Sequence, residues 1–129
     1  MKFEFENVFI TGSNGWLGKQ LVLSLLNDDN EVLIFKKPMN IKINCLINIG
    51  ESRDFFNGLG SNINIVEGDL RNIDTIKKFI YKSKKSLLIH TAGVIHPKRI
   101  KDFFEVNYVS TRNLINESVN KNFDKIIVI

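Results

Sequence analysis

Thr11-Gly12-Ser13-Asn14-Gly15-Trp16-Leu17-Gly18 is the stretch on which the reading of this chain turns. Before it runs Asn7-Val8-Phe9-Ile10-Thr11, a short apolar segment ended by glycine that suits a buried parallel strand. After it, Leu17, Leu21, Val22, Leu25 and Leu26 recur at helical spacing between Trp16 and Leu26, and Asn27-Asp28-Asp29-Asn30 supplies residues that tolerate a left-handed stop. In such a strand-turn-helix unit Gly12 allows the sharp turn and Gly15 lets the backbone approach a pyrophosphate. Gly18 lets the new helix pack close to the sheet. Free N–H groups at the helix start, together with the positive end of its dipole, attract the anion. The expected ligand is therefore a dinucleotide held through Gly12, Ser13, Asn14, Gly15, Trp16, Leu17 and Gly18, against the alternative of a glycine-rich turn with no ligand. No Gly-Lys-Ser/Thr ending follows, so the turn is not a phosphate-binding P-loop.

Strand and helix alternate outward from this turn. Glu31 to Phe35 reads as a second strand and Asn62 to Val66 as a third, followed by the loop Glu67-Gly68-Asp69-Leu70-Arg71. A helix from about Ile73 to Tyr81 carries Ile73, Ile76, Phe79 and Ile80 on one face, with Asn72 placed to cap it. Ser86 to His90 is a fourth strand and Lys125 to Ile129 a fifth. Between them Phe103 to Asn120 reads as one long helix with Phe103, Val106, Leu114, Ile115 and Val119 inward. The segment Lys36 to Gly60 is less legible: Ile41 to Ile47 suits an edge strand and Ser52 to Asn57 a short helix. The pattern predicts an α/β fold, a three-layer arrangement with a doubly wound parallel sheet.

Composition narrows the class. The chain has 129 residues, enough for one ordinary domain, with 43% hydrophobic and 25% charged residues, as in soluble globular proteins. Its net charge of +4 is modest, and the cluster Lys77, Lys78, Lys82, Lys84 and Lys85 lacks the aromatic interleaving of a nucleic-acid groove, so no nucleic-acid partner is expected. A single cysteine, Cys45, precludes an internal disulfide, and no Cys/His spacing resembles a metal site. The amino terminus is no signal peptide and no membrane-spanning run occurs, which points to the cytoplasm.

TGSNGWLG resembles the TGxxGxxG of the extended short-chain dehydrogenases/reductases, the group of nucleotide-sugar epimerases and dehydratases and of hydroxysteroid dehydrogenase-like enzymes. Further matches follow in order: Gly68-Asp69-Leu70 after the third strand, His90-Thr91-Ala92-Gly93 after the fourth, and Val106-Asn107-Tyr108-Val109-Ser110-Thr111-Arg112-Asn113-Leu114 for the family's VNxxGTxNL helix, with Ser110 in place of glycine. The resemblance implies a Rossmann fold and cofactor contacts from Asp69 and Leu70 at the adenine, from Thr91, Ala92 and Gly93 along the cofactor, and from Asn107. It implies an NAD(P)-dependent oxidoreductase, epimerase or dehydratase acting on a nucleotide sugar by hydride transfer, with a homodimer left open. The alternative is a non-catalytic NAD(P)-binding sensor. His90 and His96 are expected to be structural, and Asn107 is either a bridge between backbone groups or part of a proton relay.

Lys36 and Lys37 stand near the end of the expected second strand, where NAD-preferring members carry an acidic ribose ligand. Lysine accepts no hydrogen bond from a ribose diol but pairs with a 2′-phosphate, so NADP is favoured over NAD. The family's Ser and its Tyr and Lys of YxxxK would follow the fifth strand. Tyr81-Lys82-Ser83-Lys84-Lys85 satisfies YxxxK but precedes the fourth strand and is read as coincidence. No catalytic residue is therefore assigned. The 129 residues are expected to be the amino-terminal, cofactor-binding portion of an enzyme, inactive alone.

Overall fold

A computed structural model of the chain describes residues 3–26 and 40–129. Five strands, β1 (Asn7–Thr11), β2 (Lys42–Ile47), β3 (Ile63–Glu67), β4 (Ser86–His90) and β5 (Lys125–Val128), form one parallel sheet in the order β3-β2-β1-β4-β5. The chain steps outward from β1 to β3 and then returns to the far side of β1. That reversal opens a crevice at the carboxyl ends of β1 and β4, where ligands of open α/β sheets bind.

Alternation along the strands decides which helix covers which face. Val8 and Ile10, Ile43, Cys45 and Ile47, and Leu87 and Ile89 share one face with Val22 of α1 (Trp16–Leu26) and with Phe56. Phe9, Leu46, Val66 and Leu88 share the other with Ile76 and Phe79 of α2 (Ile73–Phe79) and Leu114 of α4 (Thr111–Asn120). Helices cover both faces, so the doubly wound, three-layer expectation holds. Asn72 caps α2 as expected, its side-chain oxygen accepting from the Asp74 N–H at 3.0 Å.

The run Ile41 to Ile47 departs from expectation: it supplies β2, an inner strand paired in parallel with β1 and with β3, not an edge. Every residue from Ile43 to Ile47 is buried. Asn44 gives the run a mixed look in one dimension, yet its polar atoms are satisfied inside. The Tyr81 hydroxyl and Asn64 Nδ2 donate to Asn44 Oδ1 at 2.8 and 3.3 Å. The strand expected at Glu31 to Phe35, the stop at Asn27 to Asn30, and Lys36 and Lys37 lie outside the described residues. The helix expected from Ser52 is a single 3₁₀ turn, Asp54–Phe56.

The long helix also differs. It begins as α3 (Ile100–Phe104), widens into a π-helical turn over Glu105–Ser110, and continues as α4. A π turn holds an extra residue, so the 3.6-residue periodicity does not carry across it. Leu114 is buried as expected, while Phe103 and Val119 face outward. Ser110, where the family has glycine, holds the wide turn by donating its hydroxyl to the Glu105 carbonyl at 2.8 Å. Among the described residues no helix is long and apolar enough to cross a membrane.

Candidate functional site

A cavity of about 760 Å³ opens at the switch point. Its floor is the glycine turn, with Gly12, Gly15, Trp16, Leu17 and Gly18 lining it. Leu46, Ile47, Asn48 and Glu51 come from the end of β2, Gly68 to Arg71 from the end of β3, and Thr91 to Val94 from the end of β4. His96, Pro97, Lys98, Asp102 and Val106 complete the wall.

The turn is a backbone structure that tolerates few side chains. Gly12 has φ +66°, and a Cβ there would sit 2.8 Å from both the Ala92 nitrogen and Thr91 Oγ1. A Cβ on Gly18 would collide with the Gly12 carbonyl and lie 2.7 Å from Ser13 Cα. The turn's own backbone, more than the sheet, thus demands glycine at position 18. Gly15 donates its N–H to the Gly12 carbonyl at 3.0 Å and leaves no side chain between the turn and the cavity. The first N–H groups of α1, which lack intrahelical partners, then stand beside the open space.

Ser13 and Asn14 do not line the cavity but brace it. Ser13 is buried, its N–H donating to the Leu46 carbonyl at 3.3 Å and its hydroxyl to the Ile10 carbonyl at 2.6 Å. Asn14 Nδ2 donates to the Ser52 carbonyl at 2.8 Å, tying the turn to the segment after β2. Cys45 lies beneath the turn, and burial pushes its thiol up to about 11, so it stays protonated at neutral pH.

His90 joins three elements. Thr11 Oγ1 accepts from the Thr91 and Ala92 N–H groups at 3.2 Å each, which leaves its hydroxyl hydrogen for His90 Nδ1 at 2.6 Å. Nδ1 is thereby an acceptor. Nε2 carries the proton and donates to Thr111 Oγ1 at 2.8 Å. Burial holds the imidazole below its ordinary value, which favours the same neutral form. The residue is structural, as expected: it locks the end of β4 to the glycine turn and to α4.

Asn107 is a bridge between backbone groups. Its Nδ2 donates to the Val94 carbonyl and its Oδ1 accepts from the Val94 N–H, both at 2.8 Å. It fixes the segment after Gly93, where a Cβ would meet Asn107 Oδ1 at 3.2 Å. Asp69 and Leu70 line the cavity, and the Arg71 guanidinium beside Asp69 holds its carboxyl below the usual carboxylate range.

Sequence reasoning missed Asn48, Glu51, Arg71 and Asp102. The first two follow β2, which had been sought earlier in the chain. Arg71 and Asp102 are 31 residues apart, and no local spacing announces their contact. The decoy pair is elsewhere: the Tyr81 hydroxyl binds Asn44 and Lys85 pairs with Glu6 at 3.2 Å, and neither residue lines the cavity.

Residues 8–129 match the family described as the NAD dependent epimerase/dehydratase family. A UDP-glucose 4-epimerase from Pisum sativum is 31% identical over an alignment that covers 95% of this chain and 35% of that protein. Among solved structures, the Bordetella bronchiseptica enzyme WbmH in complex with NAD+ superposes with a TM-score of 0.73 at 20% identity, covering 95% of this chain and 38% of that one. Uronate dehydrogenase from Agrobacterium tumefaciens superposes with a TM-score of 0.68 at 16% identity, over 96% and 40% respectively. These two likenesses concern the fold. The chain spans about a third of the length of the relatives it matches in sequence.

Proposed function

Because this chain belongs to the NAD dependent epimerase/dehydratase family, whose members are NAD-dependent enzymes, we propose that its 129 residues form a dinucleotide-binding domain with the cofactor lying across the cavity. The observation that carries the reading is the cradle itself: Gly15 puts bare backbone at the start of α1 into a cavity of about 760 Å³, within the range of small-molecule sites. Amides from Gly12 to Gly18 meet the pyrophosphate. Asp69 and Leu70 serve the adenosine side, and Thr91, Ala92 and Gly93 the nicotinamide side, with Asn107 holding that segment in place through Val94. The dinucleotide, when bound, accepts or returns a hydride.

The reaction we infer is reversible hydride transfer on a nucleotide sugar. Its support is the similarity to the plant UDP-glucose 4-epimerase, at 31% identity. An acid-base group beside the nicotinamide is needed for turnover, and the Tyr81–Lys85 pair is not at the cavity. A non-catalytic dinucleotide sensor is the second reading, favoured by the same cradle.

NADP is expected from Lys36 and Lys37, which lie outside the described residues; from the residues that are described we infer NAD instead. The strand beside β1 is Lys42–Ile47, and its end brings Asn48 and Glu51 to the cavity. The Asn48 N–H donates to Glu51 Oε2 at 3.0 Å, which fixes a carboxylate just past the end of the strand beside β1 and supports its receiving the ribose diol. A 2′-phosphate would meet like charge there. Calorimetry on the 129-residue chain should show NAD binding more tightly than NADP, and Gly15→Val abolishing both. Tighter NADP binding, with the difference shrinking as salt rises, would restore the lysines to that role. Binding untouched by Gly15→Val would place the site elsewhere.

A further inference from the structure

Arg71 reaches across from the end of β3 to α3, and each nitrogen of its guanidinium makes at least one hydrogen bond. Nε donates to Asp69 Oδ1 and Oδ2 at 3.1 and 3.0 Å, Nη2 to Asp69 Oδ2 at 2.6 Å, and Nη1 to Asp102 Oδ1 at 3.2 Å. The Arg71 N–H adds a further bond to Asp69 Oδ1 at 2.9 Å. Asp102 is held in turn by Arg99, through Nη2 at 2.7 Å and Nε at 3.2 Å. The chain Asp69–Arg71–Asp102–Arg99 has two charges of each sign and sums to zero.

Two consequences follow from that arrangement. A guanidinium binds phosphate or carboxylate most strongly through paired N–H groups on its edge, and the Nε–Nη2 pair is taken by Asp69 while Nη1 already serves Asp102. Hydrogen bonds in the edge do not by themselves cover the flat faces of the group, and the side chain keeps 42% of its surface exposed and lines the cavity. A planar partner can lie on such a face without displacing any hydrogen bond.

The sheet order says which planar group comes near. The pyrophosphate belongs at the start of α1 and the adenosine ribose at the end of the strand beside β1 that carries its ligand; the base, joined to that ribose on the side away from the phosphate-bearing carbon, extends toward the next strand outward. In the order β3-β2-β1 that step leads from Asn48 and Glu51 at β2 to the loop after β3, which carries Asp69 to Arg71. We propose that Arg71 is an adenine-binding residue, its guanidinium held flat by Asp69 and Asp102 as a platform on which the purine stacks. This rests on the reading that a dinucleotide occupies the cavity. Asp69 in this chain is then a positioning residue as well as part of the cavity wall, since it orients the guanidinium it binds.

The test separates the base from the rest of the ligand. Affinities of the 129-residue chain for NAD, AMP, ribose 5-phosphate and nicotinamide mononucleotide are measured by calorimetry or NMR titration for wild type, Arg71→Lys and Asp102→Asn. Lysine keeps the charge next to Asp69 and lacks a flat face. The advantage of AMP over ribose 5-phosphate should fall about tenfold in Arg71→Lys, as expected for loss of a stacking partner, while nicotinamide mononucleotide and ribose 5-phosphate bind as before. Asp102→Asn, which leaves the Arg71–Asp69 bonds in place, should reduce the same advantage by a smaller factor with an unchanged circular dichroism spectrum. An AMP advantage unaltered in both variants overturns the proposal, as does an equal loss for all four ligands. If wild type binds NAD and Gly15→Val removes it while Arg71→Lys changes nothing, the platform fails and the dinucleotide reading stands. If wild type binds neither NAD nor AMP, both fail.

Discussion

The floor of the cavity and the wall facing the end of β3 reach the same end with different materials. The floor, Thr11 to Gly18, is backbone: Gly12 and Gly18 stand where a Cβ would meet neighbouring backbone, and Ser13 is buried beneath. The wall is a string of ion pairs among Asp69, Arg71, Asp102 and Arg99, all of them partly exposed. Close-packed backbone cannot relax around an added atom, whereas solvated charges exchange partners at little cost. Substitutions on the floor should therefore act chiefly on stability, and substitutions on the wall chiefly on ligand recognition.

The largest effect is expected at Gly18. Gly18→Ala should destabilise the chain by roughly 3 kcal/mol, the upper range for overpacking against atoms that cannot move, read as a large fall in melting temperature. Gly50→Ala is the contrast: its φ is +81° but nothing lies within 4 Å of a Cβ there, so only backbone strain of about 1 kcal/mol applies. Equal losses at the two glycines would show that the crowding around Gly18 is relieved by a small shift of the turn.

Thr11→Val comes next. It removes the oxygen that accepts from the Thr91 and Ala92 N–H groups and the hydrogen that reaches His90. Leaving such buried groups unpaired should cost roughly 2 kcal/mol in urea denaturation. A loss below that of Gly50→Ala would mean that water replaces the hydroxyl.

The same joint gives a pH dependence. His90 has a folded-state value lowered by burial from the 6.5 of the free side chain, so the unfolded chain takes up its proton first as pH falls. Its contribution is complete above about 6.5 and is lost as pH drops from there toward the folded value. The denaturation midpoint should decline over that window, and NMR should find the His90 ring still protonated at Nε2 alone as the pH falls through 6.5. A His90 ring that titrates at or above 6.5 would contradict the hydrogen-bond assignment.

Ser110→Gly is expected to matter less. It removes the hydroxyl that donates to Glu105 and restores the residue usual in the family, for a net cost of about 1 kcal/mol. The smallest stability effect belongs to the wall: Asp102→Asn should leave the melting temperature almost unchanged in high salt, where exposed ion pairs are screened. A fall comparable to that of Thr11→Val would show that the wall is part of the core.

Much of the fold was legible because it rests on local rules. Glycine spacing between an apolar strand and an amphipathic helix, the Asn72 cap, and the apolar run Ser86 to His90 each state their structure within a few residues. The wide turn at Glu105 to Ser110 was not legible, because a single extra residue breaks helical periodicity without altering composition. β2 was misread for a related reason. Ile41 to Ile47 was expected at an edge, and its inner place shows only once the Tyr81 hydroxyl and Asn64, from beyond α2 and from β3, are seen to satisfy the buried Asn44.

By itself the sequence determined the strand-turn-helix at Gly12 to Gly18, the alternation that makes the sheet parallel, and the family pattern in Asp69, Thr91 to Gly93 and Asn107, since backbone geometry and side-chain period act over short stretches of chain. Tertiary structure alone decided which strand lies beside β1, and so that Asn48 and Glu51 line the cavity. It also decided that His90 carries its proton on Nε2 and that Arg71 is held at the cavity wall between Asp69 and Asp102. Those outcomes depend on partners 21 to 79 residues away, which are brought into contact only when the sheet has chosen its order.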